Sequence, residues 1–191
     1  MRGLARLVLD DIRAKALWNY QREDWKAMLS ALATDGTGAM VIYRLMQWAG
    51  RHRLSVLAVI FNKLNAVFNN CIIGRGAEFG PRFVLIHATG VVINGEVRGG
   101  ADVRVEHQVT IGAEGRRAPV LGDAVFIGAG AKIIGSVRVG NDARIGANAV
   151  VVHDVPPHCT VVGIPARVVR RRQPDDQPDC APPQPPAMAL T

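Results

Sequence analysis

Apolar residues recur along the chain with two different periods, and the change from one to the other falls near residue 70. Before it the spacing is helical. Leu4, Leu7, Val8 and Ile12 share one helical face, and Trp25, Met28, Leu29 and Leu32 share another. Asp35-Gly36-Thr37-Gly38 marks a turn, after which Val41, Ile42, Leu45, Met46 and Trp48 resume the pattern. Arg51-His52-Arg53 interrupts it before a further helix that runs through Phe68. Trp18, Trp25 and Trp48 lie within these helical stretches and are read as packing residues rather than a ligand box.

After Ile73 the period becomes six. Phe79, Leu85, Val91, Val97, Val103 and Val109 follow at that step, and Leu121 begins a second run through Ile127, Ile133, Val139, Ile145 and Val151. Only Gly115 fails among the sixth positions between Ile73 and Val151. Strand side chains alternate with period two, and six is even, so every marker points to the same side. A helix of period 3.6 cannot hold a strict six. A short strand and a tight turn in each repeat therefore predict a parallel β-helix with aliphatic rungs stacked inside. The expected organisation is a helical segment over residues 1–70, a β-helix domain over 71–170 and a disordered tail over 171–191. The tail's Pro and Asp content, with almost no periodic apolar residues, is the reason for the last assignment.

Composition agrees with this reading. Hydrophobic residues make up 49% but aromatics only 5%, which suits an aliphatic core, and the 20 glycines suit a turn-rich β-structure. The net charge of +7 points to an anionic partner. No nucleic-acid-binding motif is present, and the arginines are not interleaved with aromatics along the chain, so nucleic acid is not expected. Cys71, Cys159 and Cys180 are widely spaced and odd in number, which argues against a disulfide framework or zinc site and for a reducing cytoplasm. The first residues lack a signal peptide's apolar stretch, and the run Leu54–Phe61 is too short to span a bilayer.

Several stretches resemble one family. His87-Ala88-Thr89-Gly90, Val109-Thr110-Ile111-Gly112, Ile127-Gly128-Ala129-Gly130-Ala131 and Gly163-Ile164-Pro165-Ala166-Arg167, with Tyr43-Arg44 and Trp48 before them, are similar to the left-handed β-helix acyltransferases. Serine O-acetyltransferase in particular is resembled over about residues 40–170, with the exopolysaccharide acetyltransferases of the colanic acid type the nearest within that kind. The resemblance implies a mainly β fold, a left-handed parallel β-helix, and transfer of an acetyl group from acetyl-CoA to a hydroxyl, with no metal. It makes His87 the general base, because an alcohol is a poor nucleophile at neutral pH until a neighbouring group takes its proton. It implies a homotrimer with acetyl-CoA in the groove between subunits, near Gly112, Ala113, Ala129 and Ala147. Lys132, Arg167 and Arg170 to Arg172 are candidates for its phosphates, although a solvated cluster is the plainer reading of the arginine run.

The departures from the serine enzymes bear on the acceptor. The acidic residue expected just before the base is Ile86, a second acidic position is Ile72, and an Arg-His-Pro loop has become Arg117-Ala118-Pro119. Arg117 stays as an acceptor-site candidate. His107, before the Val109–Gly112 stretch, resembles a histidine of exopolysaccharide acetyltransferases of the colanic acid type and is a second catalytic candidate; Glu106 can orient either histidine and joins Arg117 as an acceptor-site candidate. A sugar hydroxyl is therefore the expected acceptor and L-serine the alternative. A γ-type carbonic anhydrase, with zinc on three histidines, and a catalytically dead scaffold are the competing classes. His52, His153 and His158 are read as surface residues.

Overall fold

The computed structural model describes residues 3–115 and 117–172. Four helices come first: α1 (Leu4–Tyr20), α2 (Trp25–Leu32), α3 (Thr37–Arg51) and α4 (Ser55–Asn69). The Asp24 side chain caps α2 by accepting from the Ala27 amide at 2.9 Å. Gly36, at φ +84°, begins α3. A side chain at Gly36 would collide with the Leu85 carbonyl, so both the left-handed backbone and the close approach require glycine there.

Among the described residues fifteen short strands follow and form three faces. The first sheet stacks β1 (Ile72–Ile73), β4 (Val92–Ile93), β7 (Thr110–Gly112), β10 (Lys132–Ile134) and β13 (Val150–Val151) in parallel. The second stacks β2 (Glu78–Phe79), β5 (Arg98–Gly99), β8 (Val120–Leu121) and β11 (Arg138–Val139). The third stacks β3 (Val84–Leu85), β6 (Arg104–Val105), β9 (Phe126–Ile127), β12 (Arg144–Ile145) and β14 (Cys159–Val162), closed by the antiparallel β15 (Arg167–Arg171). This is a parallel β-solenoid of hexapeptide repeats behind an N-terminal helical segment. Its interior is a ladder of aliphatic rungs, such as Ile73, Ile93, Ile111, Ile133 and Val151, all buried.

Between Ile73 and Val151 the six-residue frame slips twice. The step from Leu85 to its counterpart Ile93 is eight residues, and that from Ile111 to Leu121 is ten. Both slips are even, so the inside–outside alternation survives. Val91, Val97, Val103 and Val109 are buried as expected, but they sit two residues before the paired positions. The displaced frame places Gly99 in a rung, where the Phe79 ring from the coil below fills the space a side chain would need.

The lowest coil has open strand edges, and the helices cover them with polar side chains. Asn62 donates to the Ile73 carbonyl at 2.7 Å. The Tyr43 hydroxyl donates to Ala77 O and accepts from the Phe79 amide, each at 3.1 Å. Arg44 donates to Phe79 O at 2.9 Å and Gly80 O at 2.6 Å, and the Asp11 carboxylate accepts from the Phe83 amide at 3.0 Å. Lys15 donates to Leu85 O at 2.5 Å and Ile86 O at 2.8 Å. The helical segment is thus the cap of the solenoid.

Coil register also brings together arginines and aromatics that are separate in sequence. Arg104, Phe126 and Arg144 form one outward column on the third sheet. Trp18 of α1 stacks on Phe126 with centroids 5.7 Å apart, while Arg104 lies over Trp18 and Arg144 over Phe126. This stack fixes α1 to the coil. Trp48 packs against the main core and Trp18 against Ala14, Val84 and Ile86, as packing residues should, but Trp25 is 65% exposed.

The arginine run near residue 170 is not simply a solvated cluster. Arg170 and Arg171 belong to β15, and Arg172 is buried with its guanidinium 2.9 Å from the Asp142 carboxylate. The rest of the expected tail, residues 173–191 with Cys180, lies outside the described residues. Cys71 and Cys159 are buried free thiols. Among the described residues no helix is long and apolar enough to cross a membrane.

Candidate functional site

The eight-residue step after Leu85 is where His87 leaves the strand. The chain turns the corner between the third and first sheets there, so parity with Leu85 no longer directs the side chain inward. Its side chain is 54% exposed. His87 Nδ1 lies 3.2 Å from Oδ2 of Asp35, in the loop between α2 and α3. The same oxygen accepts from the Ala88 amide at 3.4 Å. An ionised carboxylate can only accept, so Nδ1 carries the proton in this contact, and in the neutral ring Nε2 keeps its lone pair. Position 86 offers no carboxylate, but one stands beside His87 from a residue 52 positions earlier in the chain.

Ile86 itself does not face the site. It is buried with Ala14 and Val84 beneath α1, where a carboxylate would lose its solvation. Ile72, by contrast, is 49% exposed on the first sheet. Ala118 packs on the core rather than standing as a polar residue would.

His107 stacks one coil above His87, because Leu85 pairs with Val105 and each histidine follows two residues later. It too points outward, although it stands two residues before the buried Val109, and its side chain is 45% exposed. The two rings meet edge to face with centroids 5.9 Å apart. Glu106 Oε2 is 3.6 Å from His107 Nδ1, so Glu106 pairs with His107 rather than with His87. Two histidine–carboxylate pairs thus stand on successive rungs of one corner.

Beneath them lies Lys15, fully buried. Besides Leu85 O and Ile86 O, its ammonium donates to the backbone carbonyl of Asp35. Burial pulls its pKa down to about 8, opposed by the negative charges of Asp35 and Glu106.

The remaining candidates divide between two corners. Ala129 and Ala147 continue the His87–His107 column, since Val105, Ile127 and Ile145 are paired and the Gly130 amide donates to His107 O at 2.9 Å. Gly112 and Ala113 lie across the first sheet, at the far ends of its strands. Arg117 is there too, in the loop that makes the ten-residue step, where it exchanges backbone hydrogen bonds with Glu114. Lys132 donates to Gln108 O at 2.7 Å and Gly130 O at 2.9 Å, so its ammonium braces the corner. Arg167 is exposed at the start of β15. Of the other histidines, His52 has Nδ1 2.9 Å from Trp48 O, and His158 has Nδ1 3.2 Å from Asp142 Oδ2, so both have partners the sequence did not reveal. Among the described residues no three His, Cys, Asp or Glu side chains are grouped to hold a metal ion.

Comparison with known proteins agrees with the coil and extends it. Residues 118–153 match the bacterial transferase hexapeptide (six repeats) family. The serine acetyltransferase of Mycobacterium tuberculosis (strain ATCC 25618 / H37Rv) is 42% identical over 143 residues, covering 73% of this chain and 62% of that protein. That of Helicobacter pylori (strain J99 / ATCC 700824) is 36% identical over 154 residues, covering 78% of this chain and 88% of the relative. A serine acetyltransferase solved in complex with CoA superposes with a TM-score of 0.80 at 32% identity, over 87% of this chain and 69% of that one. The chain thus spans less than two thirds of the length of the Mycobacterium tuberculosis relative. Taken with the solenoid and its helical cap, these similarities make the chain a member of the serine acetyltransferase family.

Proposed function

We propose that this chain is an acetyl-CoA-dependent O-acetyltransferase whose acceptor hydroxyl is that of L-serine. The observation that carries the reading is the His87–Asp35 pair at 3.2 Å, in a chain whose relatives are serine acetyltransferases. Asp35 holds the imidazole in the tautomer whose Nε2 can accept a proton. As the serine oxygen attacks the thioester carbonyl, Nε2 takes the hydroxyl proton. The tetrahedral intermediate then collapses, the C–S bond breaks, and the imidazolium returns the proton to the departing sulfur. The products are O-acetylserine and CoA.

The case for a sugar acceptor weakens once Ile86 is seen under α1 and Asp35 beside His87. Carboxylates at Asp35 and Glu106 also leave negative charge near the base for an amino-acid ammonium. The half-exposed Ile72 is what still favours a sugar. Thioester consumption from acetyl-CoA, measured with L-serine against a panel of sugars and nucleotide sugars, tests the assignment. Turnover with serine is expected; turnover confined to a sugar overturns the acceptor, and CoA binding without any turnover returns the scaffold reading.

The site calls for more than one copy. Gly112, Ala113 and Arg117 sit at one edge of the first sheet and His87, His107, Ala129 and Ala147 at the other, so a groove between two copies is the simplest way to join them. Arg167, exposed at the start of β15, is the better candidate for a CoA phosphate, because Lys132 is already engaged with carbonyls. Apolar surface is available for the contact: Val56, Val67 and Phe68 of α4 are 74–76% exposed, and Ile72 and Val92 are partly exposed on the first sheet. Light scattering is expected to give the mass of a trimer; a monomer at assay concentration would count against a shared groove.

A further inference from the structure

We propose that Lys15 is a positioning residue for the His87–Asp35 pair: its buried ammonium joins the loop that carries Asp35 to the strand end that carries His87. The proposal rests on His87 being the base, but its geometry does not. Leu85 O and Ile86 O belong to the residues just before His87, and Asp35 O belongs to the residue whose side chain faces the imidazole. One group therefore fixes both halves of the pair from behind.

The donor count matches the acceptors. An ammonium has three N–H bonds and no acceptor, and three backbone carbonyls take them. A group that only sealed the edge of β3 would need the two carbonyls of Leu85 and Ile86. The third bond crosses to another element, and that bond sets the height of the loop above the coil. Gly36 is an independent sign of the same constraint. A Cβ on it would strike Leu85 O and come within 3.0 Å of Lys15 Nζ, so the loop is drawn down as far as backbone contact permits. An apolar side chain at position 15 would leave three carbonyls without their donor and remove the attraction that holds the loop.

Two readouts separate positioning from simple packing. The first is the tautomer of neutral His87, read from its imidazole 15N shifts and assigned with His87→Ala. In the unsubstituted protein Nδ1 should carry the proton; in Lys15→Met the ring should shift toward the Nε2–H form that a free histidine side chain favours. The second is kinetic, with kcat for serine falling about 10- to 100-fold in Lys15→Met while KM for acetyl-CoA stays nearly constant. Gly36→Ala keeps the ammonium but lifts the loop, and is expected to move the tautomer in the same direction, which maintains the test should Lys15→Met not fold. A Lys15→Met protein that is less stable yet keeps the Nδ1–H tautomer and full kcat would reduce Lys15 to an edge cap and overturn the proposal. If the unsubstituted protein acetylates nothing, the base reading fails, while the tautomer comparison still decides whether Lys15 places Asp35.

Discussion

His87→Ala is expected to lower kcat for acetyl transfer by about 10²- to 10⁴-fold, the range that a positioned general base supplies, and to leave KM for acetyl-CoA nearly unchanged. The loss should fall on kcat because the imidazole does its work as the hydroxyl proton leaves, not as the cofactor binds. The fold should survive, since the side chain is 54% exposed and its hydrogen bond is to a carboxylate that is itself 51% exposed. An unchanged circular dichroism spectrum and melting temperature would establish that the variant is folded. Asp35→Asn should cost less than His87→Ala, because an amide can still accept from Nδ1 but can also present its NH2 and favour the wrong tautomer. In the isolated chain water screens the pair, so its electrostatic benefit is small. That benefit grows when a substrate or a second copy excludes water, and the Asp35→Asn effect should therefore appear in turnover and not in stability. His107→Gln is the internal control. Its ring stands 5.9 Å from His87 with its own carboxylate, so a His87→Ala protein that keeps most of its activity would transfer the role of base to His107.

The helices and the coil were both legible because each has a period that a single sequence displays. What a period cannot display is where it breaks. The step of six runs through His87 as though nothing happened and fails only at Gly115 in the loop before Leu121, since steps of eight and ten leave the alternation of buried and exposed positions intact. Those two slips are the places where the chain departs from a bare coil, and they carry His87 and Arg117. Asp35 was hidden for a different reason: it stands in a Gly-rich turn whose composition explains itself, and its partner lies 52 residues away. A usable signal existed in α1. Asp11 and Lys15 occupy the same helical stripe as Leu7, Ile12 and Ala16, all of them buried. Charged residues on a core-facing stripe announce buried partners. Reading that stripe for charge as well as for hydrophobicity would have pointed to the polar cap, though not to which carbonyls it serves.

Arg44→Met is expected to destabilise the chain by about 3–5 kcal/mol, as breaking one side of a buried ion pair does. Arg44 and Asp11 are 1% and 2% exposed, and they meet through two hydrogen bonds of 2.6 and 3.0 Å. Burial raises the Asp11 pKa, and its hydrogen bond to and the charge of Arg44 are the forces that oppose this; without Arg44 the carboxylate is left to take up a proton. Swapping both members of a buried pair for apolar residues of similar size is often neutral or better. Here it should not be. Arg44 also donates to Phe79 O, Gly80 O and Gln47 Oε1, and Asp11 accepts from the Phe83 amide. Those backbone groups lie on the open edge of the first coil, with no strand below to satisfy them, so Asp11→Leu with Arg44→Met would strand several of them at a cost of about 1–3 kcal/mol each. Denaturant unfolding of the two single variants and the double variant decides the point. A double variant as stable as the unsubstituted chain would mean that water or a shifted α3 replaces the cap. A double variant that stays destabilised would establish that the ion pair is there to finish the solenoid.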